Sequence, residues 1–299
     1  MKTVRRTLSP TQKVNMKTVR RTLSPTQKVN MKTMMRLPEL CGVCIPSIQD
    51  PMLAQEYSRL PNLRFCELVS WASARGPGRF SFSSWRDQSP NMSLELCRAV
   101  LNFAHFGRFI NPSRADPRIT TALGVSVDGL RSNLMIDAEP AVLISTIFCT
   151  ESHLLAPATM GLRRKFISGI AHTQEWERQM SFIGMAFGHR SLHAQLLSDA
   201  MSYTTKVDYA WHGQHPVVGV ATSDIALRVS DQVPIYDARF TVFHPIFDWP
   251  VLDALLPPFM AEVPYGSCVA VAYTCNCYPV NGRWNLSTNI RFAVVLGTP

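Results

Sequence analysis

No acidic residue occurs in the first 36 positions of the chain, although those positions hold ten Lys or Arg. Removing those ten from the net charge of +9 leaves residues 37–299 at about −1. The positive charge therefore belongs to an N-terminal arm, which excludes an evenly basic, fold-wide nucleic-acid surface. No apolar run reaches the about 20 residues that a bilayer crossing needs, so no integral membrane segment is expected. No apolar stretch follows the basic N-terminus, which excludes a secretory signal. Charged residues make up only 17% of a 299-residue chain that is 46% hydrophobic. That excludes a solvated, coreless body and leaves one large domain or two small ones.

Catalytic motifs are also missing. The chain has no GxxxxGK[ST] phosphate loop, no GxGxxG, no HExxH and no GxSxG. No pair of carboxylates stands at a spacing that suggests acid–base work. His189 and His193 lie four apart and would share a face on a helix, but no carboxylate completes a metalloprotease arrangement beside them. Ser191, between them, lacks an orienting acid, and a nucleophile without its partners is only a serine. His212 and His215 read as loop histidines before Pro216. The expectation is a protein that is not an enzyme and carries no cofactor.

Eight cysteines are present. Cys41 and Cys44 form a CxxC, and Cys275 and Cys277 a CxC. A zinc site would need these distant pairs to meet. Buried free thiols and no metal are the expectation, because cysteine is among the most often buried residues.

The most conspicuous feature present is a repeat. Residues 1–15, MKTVRRTLSPTQKVN, recur identically as residues 16–30, and Met31-Lys32-Thr33 opens a third copy that diverges. Its only apolar side chains are Val, Leu and Met, too few for a stacking solenoid. Met1, Met16 and Met31 could each serve as a start. Residues 1–36 are expected to be a disordered, solvated arm, since it has no aromatic residue to stack on bases; the alternative is that its Arg5-Arg6 and Arg20-Arg21 pairs attract nucleic acid or a membrane surface.

Residues 37–62 read as irregular. Pro61 then opens a predicted helix over 62–74, stopped by Gly76-Pro77. Residues 76–92 read as a loop. Ser93 is expected to cap a second helix through 106, ended by Gly107, with Leu94, Cys97, Val100, Leu101 and Ala104 at helical spacing. Residues 141–149, AVLISTIFC, read as a buried strand. Residues 160–203 read as mainly helical, broken by Gly169, Gly184 and Gly188. Residues 216–229 and 235–243 are β-like. Val269, Val271, Tyr273, Cys275 and Cys277 alternate, Asn281-Gly282 supplies a type I′ turn, and 290–296 return as the partner strand. The predicted class is α+β: a helix-rich N-terminal and central part over 37–206, then a C-terminal antiparallel β-rich region over 207–299.

Leu60-Pro61-Asn62-Leu63, with Pro77 downstream, resembles the minimal F-box of the silencing suppressors encoded by the first reading frame of poleroviruses and enamoviruses. The spacing here is one residue shorter than that pattern. Leu37-Pro38-Glu39-Leu40 with Pro51 is a second, weaker candidate. Phe65, Leu68 and Trp71 are similar to the aromatic segment of that family. Gly161-Leu162-Arg163 and His189-Arg190-Ser191-Leu192 resemble two of its landmarks. The resemblance implies a viral suppressor of RNA silencing in the host cytoplasm. It would join a Skp-type adaptor of a ubiquitin ligase to Argonaute, with a helix carrying Phe65 and Trp71 as the groove anchors. The alternative is an RNA-binding viral coat or movement protein, supported by a basic arm ahead of a β-rich region.

The arm has few apolar side chains to contribute to a core. The chain started at Met31 should therefore unfold thermally at the same midpoint as the full chain; a clearly lower midpoint would show that the arm packs on the body.

Overall fold

Asn281 and Gly282 both have positive φ, +51° and +74°, and they join the two longest strands of the protein. In this computed structural model those strands are β16 (Cys268–Val280) and β17 (Arg283–Gly297). The structure describes residues 42–43, 57, 60, 62–64, 66–70, 79–80, 89–125, 130–158, 163–172, 175–197, 200–206 and 225–299. All of them fall in one compact unit, Cys41–Pro299.

The hairpin is the spine of a large mixed sheet, because both of its outer edges are occupied. The free edge of β16 takes β8 (Ser132–Ile136) and then β10 (Val142–His153), both antiparallel. The free edge of β17 takes three strands in succession, all parallel: β12 (Ser191–Ala194), β14 (Ala200–Thr204) and β15 (Ile235–Asp237). The far edge of β10 pairs with β11 (Phe166–His172), and β11 pairs with β14. The path from β10 through β11, β14, β17 and β16 back to β10 closes on itself, so these strands form a barrel with no open edge. Register shifts between Cys149 and Glu151 and at two points along β16 supply the bends that closure requires.

Shorter strands extend the sheet. These are β3 (Glu67–Ser70) on β12, β4 (Arg79–Phe80) on β11, β6 (Phe109–Ile110) on β10, and β5 (His105–Phe106) on β6. On the other side, β7 (Thr121–Gly124) and β9 (Glu139–Pro140) pair with β8, and β13 (Leu196–Leu197) pairs with β14. A separate two-stranded pair joins β1 (Gly42–Val43) to β2 (Leu63–Arg64). Three α-helices stand among the described residues: α1 (Leu94–Asn102), α2 (Trp176–Phe187) and the single turn α3 (Leu252–Leu255).

Both faces of the spine are buried. Leu143, Ile147 and Cys149 of β10 join Val269, Val271 and Tyr273 of β16 in one core, which α2 covers with Met180 and Ile183. Val142, Ile144 and Phe148 point the other way, into a second core with Ala270, Ala272, Leu96, Val100 and Trp249. This two-sided burial is why AVLISTIFC carries no polar alternation.

The α+β expectation, with a helix-rich N-terminal and central part, is overturned: the protein is mostly strand in one large mixed sheet. Over 62–74, Leu63–Arg64 and Glu67–Ser70 are strands, the second paired with Ser191–Ala194 more than a hundred residues away. Among the described residues of 160–203, helix is confined to Trp176–Phe187, and β11, β12, β13 and β14 lie on either side of it. Pairing with distant strands outweighed local propensity in both stretches. Gly169 is a strand residue rather than a helix breaker. A Cβ there would sit 2.6 Å from the Phe148 carbonyl oxygen, so glycine lets β11 approach β10. Strand character in 235–243 is confined to Ile235–Asp237.

Several local readings hold. The Ser93 hydroxyl accepts from the Leu96 N–H at 3.2 Å and caps α1, although that helix stops at Asn102. Gly188, at φ +74°, terminates α2, and residues 142–149 form a buried strand. The hairpin and its turn stand as read.

Placing a β-branched residue at the left-handed Gly282 should destabilise the hairpin. Gly282→Val is expected to cost at least about 1–2 kcal/mol. A urea melt checks this, and an unchanged midpoint would contradict the turn.

Candidate functional site

Two clusters of polar side chains could carry a function, and burial separates them. The first is closed. Arg114 and Glu175 pair at 3.1 Å with side chains only 4% and 5% exposed. The Tyr57 hydroxyl donates to the same carboxylate, and the Arg114 guanidinium lies 4.2 Å from the Tyr57 ring centre. Ser113 Oγ donates to the Glu175 carbonyl at 2.8 Å, and Arg178 Nε to the Ser113 carbonyl at 2.7 Å. A buried ion pair ringed by hydrogen bonds ties α2 to the segment before it and leaves no open ground for a ligand. A similar plug sits in the barrel, where Gln179 Nε2 donates to the Tyr273 hydroxyl at 2.8 Å and Ser145 Oγ lies 2.9 Å from it. Burial pushes the Tyr203 and Tyr273 phenols well up, so both stay neutral.

The second cluster reaches the surface only in part: Thr274, Asn285, Asn289 and Asn133 are buried, Asn276, Tyr278 and Ser287 are half-buried, and Arg283 is exposed. Beyond Ala272 the outward face of the hairpin turns polar: Thr274, Asn276 and Tyr278 on β16, with Asn289, Ser287, Asn285 and Arg283 opposite them or one step along on β17. Asn289 Nδ2 donates to Asn276 Oδ1 at 2.9 Å, which fixes both amides. Asn133 of β8 pairs with Asn276 and places Arg131 beside Tyr278, its guanidinium 5.3 Å from the ring centre.

A strap over 225–231 brings the remaining cations. The Thr274 hydroxyl donates to the Ile225 carbonyl, and the Lys206 N–H to the Leu227 carbonyl at 2.8 Å. Lys165 Nζ holds the far end of the strap through the Asp231 carbonyl at 2.8 Å. Lys206 and Arg228 thereby pair as neighbours. Burial lowers the Lys206 pKa, and the positive charges of Arg131 and Arg228 push it the same way. The Asp231 carboxylate is occupied by the Arg228 backbone N–H at 2.7 Å. Among the described residues no carboxylate forms an ion pair with Lys206 or Arg228. Like charges held together beside a half-exposed aromatic ring make a site for a polyanion with stackable groups.

Of the residues expected to form an adaptor-binding element, Leu60, Leu63 and Leu68 are among the described residues. Leu63 is 2% exposed on β2, Leu60 is half-buried, and Leu68 lies on β3. Pro61, Phe65, Trp71 and Pro77 lie outside the described residues, as do Gly161 and Leu162. Arg163 is exposed ahead of β11. His189 follows the end of α2, so it and His193 do not share a helix face: His193 lies on β12 opposite Asn285. The His189 ring stacks on Trp284 at 4.2 Å, and partial burial lowers its pKa. Arg190 and Ser191 are exposed, and Leu192 is core.

Cys66, Cys97, Cys149, Cys268, Cys275 and Cys277 are buried free thiols, and burial raises Cys149 and Cys277 to about 12. No cluster of His, Cys, Asp and Glu among the described residues could hold a metal ion. Cys41, Cys44, His212 and His215 lie outside them. No helix among the described residues is long and apolar enough to cross a membrane.

The polar face was legible in part. Thr274, Asn276 and Tyr278 are the other half of the alternation that revealed β16, and their polarity marks where the outer core ends. The strap cations had no such signal, since only tertiary pairing brings them there.

The two clusters should respond oppositely to substitution. Glu175→Ala removes the carboxylate that pairs with the buried Arg114 guanidinium and should cost about 3–5 kcal/mol. Arg131→Ala, on the surface, should stay within about 0.5 kcal/mol. Denaturant melts of both variants check this; similar losses would remove the distinction.

Comparison with family models, with curated proteins and with solved structures gave no match, so the case for an activity is made by these residues themselves.

Proposed function

We propose that the chain is an RNA-binding viral protein of coat or movement type. The observation that carries this reading is the bridge that sets Lys206 beside Arg228, together with Arg131 against the Tyr278 ring at the polar end of the hairpin. Cations that already repel one another gain from a phosphate backbone what they do not gain from water alone, and each phosphate neutralised releases a counterion. Tyr278 adds a face on which a base can stack, and the Asn276 amide, fixed by Asn289, lies two residues along the same face of β16. The arm, with ten cations in 36 residues and no acid, supplies further sequence-independent attraction.

The adaptor reading, a suppressor that routes Argonaute to a Skp-type partner, needs an amphipathic helix at 62–74. Strands occupy Leu63–Arg64 and Glu67–Ser70, and Leu63 faces the core, so nothing observed favours that reading over RNA binding.

Single-stranded RNA titrations at several salt concentrations test the proposal. The triple variant Arg131→Ala, Lys206→Ala, Arg228→Ala should bind more weakly. Its log–log salt slope should be shallower by about 2, since each phosphate that a cation neutralises on a single strand contributes roughly 0.7. Thermal unfolding should be unchanged. The comparison belongs both in the full chain and in the chain started at Met31, where most of the arm's charge is removed. Unchanged affinity and slope in both backgrounds would overturn the proposal.

A further inference from the structure

Between β15 and β16 the chain leaves the sheet and lays a segment over the outer core. Phe243, Trp249, Leu252 and Leu256 anchor it there, with the Trp249 ring 5.7 Å from Phe103 and 5.2 Å from Phe243. The other side of the segment is apolar as well. Phe240, Val242 and Met260 are 76%, 77% and 82% exposed, and Ile246, Phe247 and Tyr265 are each more than half exposed. On α3, Leu252 and Leu256 face inward while Leu255, and Val251 just ahead of it, face solvent.

This surface is poor in charge. No Lys or Arg lies between Phe240 and Gly282, and the acids there are Asp248, Asp253 and Glu262; Arg239, just ahead, lies over the Phe240 ring at 5.2 Å and is paired with Asp237 at 2.7 Å. Two of them are engaged within the molecule. Glu262 accepts from Ser152 Oγ and from the Leu154 and Leu155 N–H groups at 2.7–2.8 Å, and Asp248 accepts from the His244 N–H at 2.7 Å.

Full exposure of an aromatic side chain presents about 150–250 Å², so together these residues present on the order of 900 Å² of apolar surface. The largest apolar patch on a typical monomer is about 300–600 Å². A standard interface buries about 800 Å² on each partner, with charge depleted at its centre. We propose that this segment is a self-complementary contact between two copies of the chain. Two such surfaces would cover apolar area with apolar area, and neither calls for a basic partner. The contact is independent of the RNA-binding face, which lies elsewhere on the hairpin.

Sedimentation velocity on the full chain, freed of nucleic acid, tests this. A dimer is expected, and it should persist at high salt, since the contact is apolar and its residual carboxylates repel. Phe240→Ser combined with Met260→Ser should halve the weight-average mass with no change in thermal unfolding. Should that pair fail to fold, Val242→Ser is read in the same way. A chain that is monomeric at every concentration would overturn the proposal, as would assembly that dissolves as salt rises. The monomeric variant should keep its RNA salt slope, so the two proposals fail separately.

Discussion

Every strand of the barrel depends on the pairing between β16 and β17, because that hairpin alone offers edges long enough to seat the others in order. Thirteen residues on one side and fifteen on the other pair outward from Asn281-Gly282, with two register shifts along the way. A two-residue turn leaves the register no freedom, and a one-residue slip would exchange the two cores along the whole spine. The parallel strands β12, β14 and β15 follow one another along β17 without overlapping, and β12 and β14 are held on their other edges by β3 and β11.

Burial on both faces of this spine dictates where polarity can go. The core strands contain almost no charge, and the polar groups inside them form closed sets such as Ser145, Tyr273 and Gln179. Charge is displaced to the ends of strands and to the connections. Arg131 stands just before β8, Lys206 just after β14, and Arg228 on the strap. Barrel closure brings these three positions, remote in sequence, to the polar end of the hairpin. The candidate interface is thus a by-product of the topology: cations excluded from the cores converge where the outer core stops.

Legibility in the sequence followed the range of the interactions. The cap at Ser93, the stop at Gly188 and the Asn281-Gly282 turn are decided within a few residues, and all were readable. The β11 segment FISGIAH was not, because its strand identity rests on pairing with β10 and β14 and on Gly169 passing the Phe148 carbonyl. The stretch around Leu63 misled for the same reason. Its apolar residues fit helical spacing, yet Glu67–Ser70 is held by Ser191–Ala194. Of the candidate site, Tyr278 and its polar neighbours were visible in the alternation of β16, whereas Lys206 and Arg228 meet only through a tertiary bridge.

The central claim is that this spine, besides organising the fold, presents the surface that meets RNA. Hydrogen exchange on the full chain, with and without single-stranded RNA, tests it most directly. The account predicts that RNA slows exchange around Arg131, Lys206, the strap over 225–231 and the polar end of the hairpin, in addition to any effect on the arm. Protection confined to residues 1–36, with the body exchanging as it does alone, would contradict it.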